Sequence, residues 1–170
     1  GRTSPVVTAE FVAVPEAWTV ALGSEPDPEY TAGGPDALID GRRGAVDWRH
    51  GGWHGFDGKD AVITLDFGHP TPLHAAGAGV LQDMRSWILM PTEMRVETAA
   101  DGRTFSPAGR VPCDVPATAA GVVRRDLTVE LDGAPVRALR IVLVNGGPLP
   151  PGHPAAGAAS FVFVDELIVR

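Results

Sequence analysis

One hundred and seventy residues, 44% of them apolar, are enough for one domain with a real core. A formal charge of −7 argues against nucleic acid or an anionic membrane as a partner. Cys113 is the only cysteine, which excludes an internal disulfide, and no run of 18 apolar residues offers a membrane span.

Twenty-one Gly and sixteen Pro are spread along the chain without a repeat, punctuation that long helices do not survive. Residues 6–12 alternate, with Val7, Ala9 and Phe11 on one face, and read as a half-buried strand. Residues 16–22 form a second candidate, with Trp18 as a core residue, and 24–28 lead by turns into a glycine-rich stretch over 30–56. That stretch also carries acids, arginines, histidines and tryptophans, side chains a plain linker does not need. Next comes a clean alternating strand over 62–67, with Ile63, Leu65 and Phe67 facing in, closed by a turn over 68–72.

Residues 74–82 predict a strand whose glycines and alanines allow close approach by neighbours. The segment 85–90 is apolar around Trp87, and 93–98 is a strand with Met94 and Val96 inward. Asp101-Gly102 is a turn signal, and 107–120 reads as irregular. Strands over 123–131 and 138–144 form a pair joined across Asp132-Gly133. A second Gly/Pro loop over 145–159 precedes a last strand, 161–169, with apolar residues on both faces. Eight or nine strands with no 3.6-residue periodicity predict an all-β fold, a sandwich or barrel.

Two constellations stand out. In the first, Asp36 and Asp40 lie in the central loop, while Asp165-Glu166 interrupt the apolar last strand. By period-2 alternation Glu166 shares the face of Val164 and Ile168, toward buried surface, where an ionised carboxylate needs a cation or an arginine. Loop carbonyls with carboxylates from two parts of the chain suit Ca²⁺. The alternative is an ion pair of Glu166 with Arg42 or Arg43, with Asp40 an ordinary turn residue. The second constellation is Trp48, Arg49, His50, Trp53 and His54, with Gln82, Asp83, Arg85 and Trp87 as neighbours. Flat indoles stack on the C–H faces of sugar rings, and forked donors and acceptors suit vicinal hydroxyls. The alternative is that Trp53 and Trp87 plug the ends of the fold. A zinc site on His50 and His54 with Asp or Glu neighbours is a further alternative, unsupported by a helical His-x-x-x-His pair or a Cys cluster; no nucleophile elbow, phosphate loop or dinucleotide fingerprint occurs, and nothing nominates a particular pair of catalytic carboxylates.

The run Tyr30, Ala32-Gly33-Gly34, Ala37-Leu38 and Asp40-Gly41, followed by Trp53 and Gly55-Phe56, resembles a discoidin-like domain of galactose-binding-like fold. It is most similar to the version at the C-terminus of bacterial family 20 β-N-acetylhexosaminidases. Leu81-Gln82-Asp83, Trp87-Ile88 with Pro91, Asp101-Gly102 with Phe105, Pro150 with His153-Pro154, and Phe163 with Asp165-Glu166 continue the likeness. It departs at Gly152, where an aromatic is expected, and at Phe161 or Val162, where a tryptophan is expected.

This resemblance implies an antiparallel jelly-roll β-sandwich of about eight strands, with 1–29 as lead-in and 30–170 as the family-like core of a single domain. It also implies a structural calcium near the Asp-Gly loop and the C-terminal Glu, and attachment to a glycoside hydrolase. The expected function is that of a non-catalytic carbohydrate-binding module, extracellular or periplasmic in a bacterium, weakly binding galactose- or N-acetylhexosamine-type glycans. A structural module packing on a catalytic domain and a protein- or surface-adhesion module are the alternatives, with an autonomous enzyme last.

Overall fold

The computed structural model describes residues 15–170, so the predicted strand over 6–12 lies outside the described residues. Nine strands follow in order: β1 (Thr19–Leu22), β2 (His54–Asp57), β3 (Ala61–Pro72), β4 (Ala75–Asp83), β5 (Glu93–Ala99), β6 (Ser106–Pro112), β7 (Val122–Glu130), β8 (Pro135–Leu143) and β9 (Phe161–Val169). They build a five-stranded sheet, β1-β3-β8-β5-β6, and a four-stranded sheet, β2-β9-β4-β7. Every ladder is antiparallel, and the two sheets form a β-sandwich. Helix among the described residues is confined to three short 3₁₀ turns, Pro35–Leu38, Trp48–His50 and Met84–Ser86.

Period-2 alternation builds the core. Ile63, Leu65 and Phe67 of β3 and Met94 and Val96 of β5 point inward, meeting Val80, Val162 and Val164 of the other sheet. Trp18 packs edge-on against Phe67 with ring centroids 5.1 Å apart, the core role expected for it. In β4, a side chain on Gly77 would overlap the Leu127 carbonyl, so the bare backbone is what lets β7 pair so closely.

Four sequence expectations are corrected. The 68–72 stretch does not end its strand. β3 instead runs on to Pro72 through a register shift after Asp66, which accepts from the Gly68 N–H at 2.7 Å. The segment taken as irregular after Pro107 contains β6, an edge strand that tolerates proline because one side needs no ladder bonds. β7 and β8 are consecutive but do not pair; they lie in opposite sheets, so Asp132-Gly133 turns the corner of the sandwich.

The fourth correction bears on function. Ala78 pairs with Leu167 and Val80 with Val164, so Asp165 and Glu166 together oppose Gly79 in a β-bulge. The extra residue breaks the alternation, and Leu167 replaces Ile168 in the core. Asp165, before the break, keeps the outer face of Phe163 and lies in space that Gly79 leaves open. At the far end of β9, the Arg170 carbonyl accepts from the amides of His74 and Ala75. There Pro15, Trp18 and residues 167–170 line one cavity of about 340 Å³.

Candidate functional site

The outer face of the smaller sheet carries a second layer. Trp53, Leu81, Ile88 and Phe163 form a separate buried cluster, joined by Tyr30, Trp48 and Phe161. Trp53 stacks on Phe163 at 6.3 Å and donates from Nε1 to the Ala45 carbonyl at 2.9 Å. Glycines make room: a side chain at Gly55 would collide with Phe163 and Tyr30, and one at Gly44 with Trp53. The 44–53 loop therefore lies down on the sheet instead of projecting from it.

This layer brings the two tryptophan segments together. Trp48 Nε1 donates to Asp83 Oδ2 at 3.3 Å, and Ser86 Oγ donates to the same oxygen at 2.7 Å. Arg49 lies over the Trp48 ring at 4.5 Å, pairs with Asp47 at 3.2 Å, and reaches Ser86 Oγ at 3.4 Å. A cleft of about 330 Å³ opens beside them, lined by Tyr30, Trp48, Arg49, Trp53 and the glycine-bare backbone at 33, 51 and 52.

The three tryptophans have three fates. Trp53 is buried, Trp48 is half-buried with both edges engaged, and Trp87 remains 42% exposed. Trp87 also adopts a left-handed backbone, φ 66°. Hydrogen bonds from its own amide to Met84 O (3.1 Å) and from the Phe161 amide to its carbonyl (2.8 Å) hold it there. Among the described residues the exposed large hydrophobics are Trp87, Val46 in the loop, and Val122, which pairs with Asp83 across the ladder.

His50 is exposed beside Arg49. His54 is fully buried in β2; its Nε2 lies 3.0 Å from the Gly34 carbonyl, its Nδ1 has no partner among the described residues, and burial lowers its pKa. His54 thus faces no solvent-accessible site, and the sequence pattern alone gave no sign of that. Sequence reasoning also passed over Ser86, Val46 and Val122, polar or apolar loop residues of no distinctive type.

At the other constellation, Glu166 Oε1 accepts from the Gly41 amide at 3.0 Å, while buried Oε2 has no partner among the described residues. Burial, with the Asp40 and Asp165 charges, pushes the Glu166 pKa up to about 7 against the pull of the Gly41 bond. Arg43 pairs with Asp165 and Asp126, not with Glu166, so the ion-pair alternative is not the arrangement found. Asp40 and Asp36 are exposed, Asp40 accepting from the Arg42 amide at 2.8 Å and Asp36 lying on the first 3₁₀ turn. No group of three or more His, Cys, Asp or Glu side chains is gathered for a metal among the described residues. The chemistry that does fit a hard cation is one orphaned buried carboxylate oxygen beside a loop rich in backbone carbonyls.

No protein-family profile and no curated protein matches the chain. Solved structures do. A family 32 carbohydrate-binding module of a Clostridium perfringens family 31 glycoside hydrolase superposes with a TM-score of 0.58 at 14% identity, covering 90% of each chain. The fold is that of the family 32 carbohydrate-binding modules. A second family 32 module, from a C. perfringens family 89 enzyme in complex with GalNAc-β-1,3-galactose, gives 0.56 at 15% identity over 90% of this chain and 94% of that one. The C-terminal domain of a Bacteroides fragilis chitobiase gives 0.51 at 18% identity over 91% and 93%. A C. perfringens family 89 glycoside hydrolase also superposes, with a TM-score of 0.56 at 16% identity, over 91% of this chain and 14% of that one.

Proposed function

We propose that this chain is a non-catalytic carbohydrate-binding module of a carbohydrate-active enzyme, acting outside the cell or in the periplasm. The observation that carries the reading is Trp87, an aromatic ring left 42% exposed on a strained, hydrogen-bonded turn next to Arg49, Ser86 and Asp83. A flat apolar face beside forked donors and acceptors is what a pyranose ring requires. His50 lies next to Arg49 on the 3₁₀ turn 48–50, while Trp53 packs in the layer that carries Trp48. Structural neighbours solved with galactose and with GalNAc-β-1,3-galactose support terminal galactose- or N-acetylhexosamine-type sugars as the ligand class. So shallow a site desolvates little area, and its affinity belongs at roughly micromolar to millimolar.

The experiment is titration with galactose and GalNAc-β-1,3-galactose. Wild type binds and Trp87→Ala does not, with the thermal transition unmoved; no binding at millimolar sugar rejects the reading. Exposure of Val46 and Val122 around the same edge favours a second reading, docking on an attached catalytic domain. Failure of all sugars together with protection of Val46 by such a domain supports that one.

We further propose a structural calcium held by Glu166 and Asp40, with carbonyls of the 35–45 loop and Asp36 at its margin. The ion would supply a positive charge that keeps the Glu166 carboxylate ionised and ties the loop to β9.

A further inference from the structure

Asp165 is the most deeply buried charged group of the outer layer, with no exposed surface at all. Its Oδ2 accepts from Arg43 Nε at 3.0 Å, from the Gly44 amide at 3.0 Å and from Arg124 Nη2 at 3.4 Å. Each donor leads to the glycan-binding edge. Gly44 begins the loop, which Ala45 N–H closes on the Gly51 carbonyl at 3.2 Å. Arg124 lies over the Trp53 ring at 5.7 Å, and Arg43 is locked from its other side by Asp126.

This carboxylate is where it is because Gly79, opposite it on β4, carries no side chain. Regular alternation would give β9 one residue opposite Gly79; the bulge gives it two, and the missing side chain of Gly79 is the space that Asp165 and Arg43 fill. A buried carboxylate oxygen gripped by two arginines and an amide is costly to pull away, because moving it would strip the charge-assisted bonds of all three donors. The loop's foot is thus tied to Asp165 and its tip to Asp83 through Trp48.

We propose that Asp165 is the positioning residue of the glycan-binding edge: it holds the 44–53 loop, and with it Trp48 and Arg49, from the floor of the sheet and touches no ligand itself. Its purpose rests on the glycan reading above; its geometry does not.

Two measurements test this together, amide hydrogen exchange and titration with GalNAc-β-1,3-galactose. Asp165→Asn keeps an oxygen for Gly44 but removes the charge that holds the arginines. Arg43→Gln, at a side chain only 36% exposed, breaks the same tie without touching the buried position. Both variants are expected to exchange amides 44–51 about tenfold faster, with β3 and β8 unchanged. Affinity falls by about tenfold as the edge loses its preorganisation, and saturating disaccharide returns the loop to slow exchange. The proposal is overturned if the loop exchanges as in wild type in Arg43→Gln, if it loosens with affinity intact, or if Asp165→Asn speeds exchange everywhere while Arg43→Gln speeds it nowhere. If wild type binds no sugar, the glycan reading falls, while loop exchange still decides the role of Asp165.

Discussion

A left-handed backbone at Trp87 costs an L-residue about 1–2 kcal/mol, and it is held by the backbone bonds to Met84 and Phe161 while the residue stays 42% exposed. Replacing the side chain separates the roles. Trp87→Gly should be about 1 kcal/mol more stable than Trp87→Ala in urea unfolding, because glycine accepts φ 66° freely, and neither variant should bind sugar. Trp53→Ala is the opposite case. Its ring is 2% exposed and stacked on Phe163, so its loss should lower stability by about 3–5 kcal/mol in the same assay. Residue type could not distinguish these two tryptophans; the distinction lies in the glycines at 44 and 55, which let the loop fold down over one ring and not the other.

At the level of strands, alternation made most of the sandwich legible, since a half-buried strand must place every second side chain inside. Ile63, Leu65, Phe67, Met94 and Val96 are all where that rule puts them. The departures come where alternation breaks. A bulge adds a residue without any local mark, and the only sign of this one was Gly79, in a different strand from the acids it accommodates. The second layer had a clearer sign, an apolar outer face on β9 with Phe161 and Phe163, yet nothing in the sequence told which segment would cover it. Strand β4 offers a test. Gly77→Val should destabilise by about 1–3 kcal/mol through collision with the Leu127 backbone, measured as a lowered urea midpoint with unchanged slope.

For the molecule as a whole, two buried groups give opposite pH dependences. The Glu166 pKa rises to about 7 from 4.5, so in cation-free protein its contribution to stability is complete below pH 4.5 and lost as pH climbs through 7. His54 is depressed from 6.5 by burial, so its contribution is present above pH 6.5 and lost as pH falls. A cation at Glu166 needs the ionised form, so the calcium-induced rise in melting temperature should grow from pH 5 to pH 8 and vanish in Glu166→Gln. An equal shift at both pH values, or one that survives the substitution, rejects the calcium reading.

The cavity shared by Pro15, Trp18 and Arg170 has a bearing on how such a module would be worn. Arg170 is bonded to Ala75, the first residue of β4, whereas the Trp87 turn follows Asp83, the last. Those two ends of the strand are roughly 27 Å apart at the usual rise per residue. The cavity therefore marks the pole of the sandwich opposite the tryptophan edge. On the glycan reading, a domain packed at that pole would leave the tryptophan edge free for sugar. Millimolar contacts from several such heads on one polymer would then add through effective concentration, holding an attached catalyst at its substrate without a tight grip on any single sugar.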